Sequence, residues 1–291
     1  MRSALYLIPI GLLISCGQSS VRFSEEASST EAAETNGYPS VVRVIVPDGS
    51  GLCTGTFISP RAVLTASHCT TQIGTYRILA DWGATFTTRE VVKLGNGSVS
   101  DKSDLALLLF DSNKADPKAN QVTPISSNVA VGDKVTLVGY GCNNVNTMAG
   151  IDIKRSGRNQ VYQKGDYIQL ATPLKAHTAQ KILGPDNLSG TCFGDSGGPL
   201  LKANTQGNWV VGVTHAGSWN TQVLFSLYTD ISRSENWTFL ENTENSYGLY
   251  LTHPCAEPGT QLSQCQTSQA LTGIVGFLHM IFAKMLFWLG L

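Results

Sequence analysis

The stretch "GTCFGDSGGPL", Gly190 to Leu200, sets an acid, a serine and two glycines in a row between a cysteine and a proline. A serine hydroxyl is a poor nucleophile at neutral pH. A turn built to present one has chemical meaning only if the chain also supplies a base and a set of donors for developing negative charge.

The whole chain sets the frame for that search. Its 291 residues are 42% hydrophobic and 14% charged, with 29 glycines, enough to bury one or two cores. The net charge is −1, and no lysine- or arginine-rich cluster interrupts it, so the electrostatic footprint of a nucleic-acid binder is missing. From Tyr38 onward the texture is one of short β-branched runs separated by Gly, Asn, Asp and Pro: "SVVRVIV", "REVVKLG", "DLALLLF", "KVTLVGYG", "YIQLATPL", "WVVGVTHAG" and "LFSLY". Many short strands at regular spacing predict an all-β barrel or sandwich. "DISRSENWTFLENT" then carries apolar residues at helical spacing and predicts one closing helix.

The first residues, "MRSALYLIPIGLLISC", read as an export signal: one arginine, an apolar run too short to span a bilayer, then a small residue before Cys16. Their end resembles a bacterial lipobox, which predicts a signal peptide over 1–15 and a lipidated Cys16. Gly17 after it favours the outer of two membranes. An exported chain folds in an oxidising compartment, and assigning Cys16 to lipid leaves six of the seven cysteines for three bridges. Residues 16–37 are rich in Ser, Glu and Ala and predict a flexible acidic tether.

A base for Ser196 requires a histidine, and the histidine requires a carboxylate to fix its tautomer. Of five histidines, His68 stands out in "VLTASHC", at the end of an apolar strand. Asp104 in "SDLALLLF" is the acid at the lip of another, where partial burial strengthens a bond to the imidazole. Together and in this order, "TASHC", "SDLALL" and "GDSGGP" resemble the chymotrypsin/trypsin family of serine proteases over about residues 38–242. The order His, Asp, Ser separates this family from subtilisins and α/β-hydrolases.

The resemblance implies two packed six-stranded antiparallel β-barrels with a C-terminal helix, divided near residue 125, and an active site in the cleft between them. It implies Ser196 as nucleophile, His68 as general base and then acid, and Asp104 as the buried orienter, with peptide substrates and no metal or organic cofactor. Gly194 and Gly197 permit backbone angles that let the amides of Gly194 and Ser196 form an oxyanion hole. The competing class is a protease-like module that binds without cutting. Such a module usually lacks a triad residue, and none is lost here.

Three features depart from the family pattern. Members commonly pair the aspartate before the nucleophile, here Asp195, with a new N-terminus freed by cleavage. Upstream of Tyr38 there is only "SSTEAAETNG", so the chain either folds directly with Asp195 paired internally or is cut elsewhere, for instance after Arg22. Cys53 and Cys69 match the family's histidine-loop bridge. Cys192 lacks the usual later partner and is paired with Cys142, in the loop that should lie beside 192–194, which leaves Cys255 with Cys265. Finally, Gly190 stands where trypsin-like members carry the aspartate that binds Lys or Arg. The pocket, assigned to Gly190, Thr191, His215 and Gly217, has three open readings: an apolar slot wide enough for a ring, which is favoured; a carboxylate site made by His215 and Thr191; or a His215 that replaces the serine usually bonded to the triad aspartate.

Residues 243–270 read as a polar linker with a small disulfide loop, and "ALTGIVGFLHMIFAKMLFWLGL" predicts a hydrophobic tail helix over 271–291. About 21 residues at 1.5 Å rise reach roughly 30 Å, the thickness of a bilayer core, although Lys284 interrupts the apolar run. Membrane contact through both Cys16 and this tail is therefore expected.

Overall fold

The structure is a computed structural model and describes residues 32–111, 117–143, 147–173, 188–204, 207–219, 223–249 and 251. The expected lipid site at Cys16, the Cys255–Cys265 bridge and the tail over 271–291 lie outside them.

The chain begins with a two-residue strand, β1 (Ala33–Glu34), and then builds β2 (Val41–Ile45), β3 (Leu52–Ser59), β4 (Ala62–Thr65), β5 (Arg77–Leu79), β6 (Thr85–Thr87), β7 (Glu90–Leu94) and β8 (Leu105–Leu109). The second half supplies β9 (Lys134–Gly139), β10 (Arg155–Lys164), β11 (Tyr167–Pro173), β12 (Pro199–Asn204), β13 (Gly207–Trp219) and β14 (Val223–Asp230), followed by helix α1 (Ser234–Tyr247). Strands β2 to β8 form one curled antiparallel sheet in the order β6-β5-β2-β3-β4-β8-β7. In the other sheet, pairing of β10 with both β11 and β9 closes β9 to β14 into a six-stranded barrel, and β1 adds to the outside of β10. The expected architecture of two β units and one closing helix is thus observed, with the first unit a half-barrel.

Each unit is held by its own apolar layer. In the first, Phe57 is fully buried and meets the ring edges of Phe86 and Phe110 at 5.2 and 5.6 Å. Aromatic pairs of this kind add about 1 kcal/mol each to the burial of their area. All five residues of β8 are buried, which fixes the strand that follows Asp104. In the second, Leu137, Val161, Ile168, Leu170, Leu200, Val211 and Tyr228 fill the closed barrel.

Two boundaries move relative to the sequence reading. The tether expected to reach residue 37 ends earlier: β1 pairs with Ser156 and Arg155, and the buried Lys154 ammonium donates to the carbonyls of Gly37 and Tyr38 while it pairs with Asp81 at 2.7 Å. A buried cation must find acceptors, and this one draws the entering chain onto the second unit. At the other end, the limit at 242 falls inside α1, which runs to a left-handed Gly248, a frequent C-terminal stop. Leu240, Leu249 and Leu251 are buried in the first unit's core, and the Tyr247 hydroxyl donates to Glu90. The end of the described chain therefore clasps the first unit.

Candidate active site

The cleft site is assembled from both units. His68 sits in a 3-10 turn, Ser67–Thr70, directly after β4, and Asp104 directly precedes β8, the strand paired to β4. The ladder thus brings together two residues 36 positions apart. Asp104 is fully buried. Its Oδ1 accepts the His68 backbone amide at 2.8 Å, and its Oδ2 lies 2.6 Å from His68 Nδ1. Burial alone would raise this carboxyl, but the bonds from His215 and His68 outweigh it and hold Asp104 below the usual carboxylate range. An ionised carboxylate only accepts, so His68 carries its proton on Nδ1 and leaves Nε2 with a free lone pair.

Ser196 lies on a turn that the second unit presses against the first. Its carbonyl accepts the Thr54 amide from β3 at 2.8 Å, and the Thr54 hydroxyl donates to the Gly194 carbonyl at 2.8 Å. From the other side, Gly197 donates to the Thr214 carbonyl and Thr214 donates back to Gly198. Gly194 and Gly197 have φ of +98° and +81°, and a side chain on Gly197 would collide with the Thr65 hydroxyl. Among the described residues, the amides of Gly194 and Ser196 have no protein acceptor.

Asp195 is paired internally. Its two oxygens accept the amides of Gly141 and Cys192, each at 2.8 Å, and side chains on Gly139 or Gly141 would overlap its carboxylate. Burial pushes this carboxyl up to about 6, against the lowering effect of the two amides and of Arg155. Ala32, the first described residue, lines the small cavity beside it.

Both expected disulfides that fall within the described residues are present, Cys53–Cys69 and Cys142–Cys192. The second joins the loop after β9 to the loop carrying Gly194 and Ser196 across a separation of 50 residues, and Cys142 also donates its amide to the Phe193 carbonyl. Closing a loop of that length restricts the unfolded chain by about 4 kcal/mol. Replacing both Cys142 and Cys192 with serine is therefore expected to lower unfolding stability by several kcal/mol, about 4 by this estimate, read by urea denaturation. A loss below about 1 kcal/mol would mean that this loop is ordered without its bridge.

Of the four pocket candidates, Gly190, Thr191 and Gly217 gather near Leu224, and His215 lies against Asp104, as one of the three open readings has it. Gly190 faces Leu224: a side chain at Gly190 would overlap the Leu224 methyl and come within 3.0 Å of the Thr172 hydroxyl. Thr191 is buried and bonds Ser226 Oγ through both its amide and its hydroxyl at 3.0 Å. Across the slot, a Cβ on Gly217 would already touch Leu224 at 3.8 Å and Thr191 Oγ1 at 3.9 Å. His215 belongs elsewhere. A register shift between Thr214 and Ala216 makes it the extra residue of a β-bulge, and its Nδ1 lies 2.7 Å from Asp104 Oδ2. Leu224, Ser226 and Thr172 escaped the sequence reading because each reaches the slot through cross-strand register, which a run such as "VLFSLY" does not disclose.

His68 Nδ1, Asp104 Oδ2 and His215 Nδ1 fall within 4.8 Å of one another, a spacing open to metal ions as well. Their N···O distances are those of hydrogen bonds, which already account for all three atoms. Cys53 and Cys69, beside His68, are joined to each other.

The family model described as Trypsin matches residues 27–238. The chain belongs to the trypsin family. It is similar to a protein named trypsin from Saccharopolyspora erythraea, 28% identical over 204 residues that cover 64% of this chain and 85% of the relative. Among solved structures, mouse neuropsin superposes with a TM-score of 0.54 at 19% identity, covering 72% of this chain and 97% of its own. Human heparin binding protein gives 0.55 at 16%, with 72% and 94% covered. At these identities the two structures support the trypsin fold alone, and that fold accounts for the positions of the two β units and the terminal helix.

Proposed function

We propose that this trypsin-family chain is a serine endopeptidase acting through an acyl-enzyme on Ser196. The observation that carries the proposal is the 2.6 Å pairing of His68 Nδ1 with the fully buried Asp104, beside the turn that bears the serine. With its Nδ1 proton committed to Asp104, His68 offers Nε2 to take the Ser196 proton as Oγ attacks the substrate carbonyl, and returns that proton to the leaving amine. The Asp104 carboxylate stabilises the imidazolium between those steps. The amides of Gly194 and Ser196 are the donors proposed for the oxyanion, a contribution of about 3 kcal/mol per donor in the transition state.

The slot beside Ser196 favours substrates with a small apolar side chain before the scissile bond. The Leu224 methyl overlaps the place where a Cβ on Gly190 would sit, so Leu224 fills space that Gly190 would otherwise leave open. Among the described residues, the slot offers Lys or Arg no carboxylate partner. His215, engaged by Asp104, does not serve a substrate carboxylate there.

A fluorophosphonate probe should label the purified protein, with the adduct mapped to Ser196, and digestion of a peptide library should yield cuts mainly after Ala, Val, Ser or Thr. Leu224→Ala should extend cleavage to Leu and Phe. Cuts mainly after Lys, Arg or Glu would contradict the reading of the slot. A folded protein that neither labels nor cuts would favour a binding module.

A further inference from the structure

The Gly194 amide, one of the two donors proposed for the oxyanion, belongs to a peptide unit that could turn over. Gly194 has φ of +98°, and a glycine gives the Phe193–Gly194 peptide the freedom to aim its carbonyl where the N–H is needed. The bond that opposes this turn lies at the far end of the same planar unit, where the Phe193 carbonyl accepts the Cys142 amide at 2.9 Å. The Cys142 amide shares its own plane with the Gly141 carbonyl. That carbonyl accepts Nη1 of Arg155 at 3.2 Å.

Arg155 opens β10 and is 7% exposed. Its Nη1 also donates to the carbonyls of Gly150 at 2.6 Å and Ile153 at 3.3 Å, so one side chain gathers three points of the segment between β9 and β10. Gly150, with φ of +73°, leaves the room: a Cβ there would come within 3.0 Å of the guanidinium carbon. Nη2 lies 3.5 Å from Glu34, the residue opposite Arg155 in the pairing of β1 with β10. A buried guanidinium must find acceptors and countercharge. Here they are the three carbonyls, Glu34 and, across the small cavity that both line, Asp195, which also takes the Gly141 amide at 2.8 Å.

We propose that Arg155 is a positioning residue for the oxyanion site: it fixes the Gly141–Cys142 peptide, which in turn fixes the Phe193–Gly194 peptide with its N–H toward the reacting carbonyl. The inference rests on the reading of the Gly194 and Ser196 amides as donors for an acyl transfer at Ser196. A charged donor makes a stronger bond than a neutral one, and amides bonded in series polarise one another. The relay therefore holds back the turned-over peptide and strengthens the Gly194 donor. The second donor is held otherwise. The Asp195 carbonyl, in one unit with the Ser196 amide, accepts the Gly198 amide at 2.8 Å, inside the turn itself. Loss of Arg155 should thus disable one donor and spare the other.

In the full chain, Arg155→Ala is expected to lower kcat roughly 10- to 100-fold, approaching the loss of one oxyanion donor, with KM within about twofold of wild type, because the donor acts in the transition state. Affinity for a peptide aldehyde ending in alanine, whose hemiacetal oxygen takes the oxyanion place, should fall by a similar factor. Millimolar guanidinium, compared with sodium chloride at equal ionic strength, should restore much of the lost kcat in Arg155→Ala and leave wild type unchanged. For a variant that is folded by circular dichroism, a kcat within about twofold of wild type, a loss confined to KM, or no gain from guanidinium would each overturn the proposal. If Arg155→Ala does not fold, Arg155→Lys decides. It keeps the charge on a shorter stem without the planar fork, so kcat should fall about tenfold at constant KM, and an unchanged kcat would overturn the proposal. Fluorophosphonate labelling of wild type at Ser196 tests the underlying reading: a wild type that does not label overturns both, whereas labelling together with an unaffected Arg155 variant overturns the positioning role alone.

Discussion

Replacing Ser196 with alanine is expected to lower kcat for peptide hydrolysis by about 10⁶-fold, the scale seen when a triad nucleophile is removed. The large value follows from how the three residues act. Without the hydroxyl, His68 has no proton to accept and Asp104 no imidazolium to stabilise, so the whole unit is lost at once and only substrate binding and the oxyanion donors remain. The substitution should cost little stability. Ser196 is partly exposed, the turn is held by its backbone contacts to Thr54 and by the bonds of Gly197 and Gly198 to Thr214, and the alanine keeps all of them. A folded Ser196→Ala protein that still cleaves peptide after repeated purification would rule out Ser196 as the nucleophile.

Asp104→Asn should lower kcat by about 10⁴-fold, and the geometry here explains why no side-chain flip rescues it. The His68 backbone amide can only donate, so the asparagine oxygen must take the Oδ1 place and its NH₂ group the Oδ2 place. That NH₂ then faces the Nδ1 atoms of both His68 and His215, which formerly donated to Oδ2. Each ring is driven to carry its proton on Nε2, and His68 presents a proton to Ser196 where catalysis needs a lone pair. Comparison of kcat for wild type and variant at a pH on the plateau of the wild-type profile checks this. A loss smaller than about tenfold would mean that Asp104 does not set the His68 tautomer.

Much of the site was legible because its chemistry is concentrated in short contiguous segments. "TASHC", "SDLALL" and "GDSGGP" each combine a reactive residue with the local sequence that presents it: small residues for a tight turn after β4, an apolar run that must be buried behind Asp104, glycines that accept positive φ around Ser196. Their type and order specify the residues and the fold class without reference to distance. The family resemblance likewise led to Cys53–Cys69, and to Cys142–Cys192 through the loop it places beside 192–194.

What the sequence could not settle depended on register and on charge burial, both properties of contacts between remote segments. Alternation along β13 left the direction of His215 open, because one extra residue in a bulge reverses which face a side chain meets. Leu224 on β14 crowds Gly190 on another segment, where two glycines read in isolation suggested open space. The entering chain is docked by Lys154, whose buried ammonium needs acceptors that only folding supplies, and the apparent tether ends where that need begins. The residue types of the proposed triad were legible in the sequence. Which face of a strand each neighbour turns toward that triad was decided by tertiary pairing, because a shift of one residue in a ladder carries no local signature in the chain.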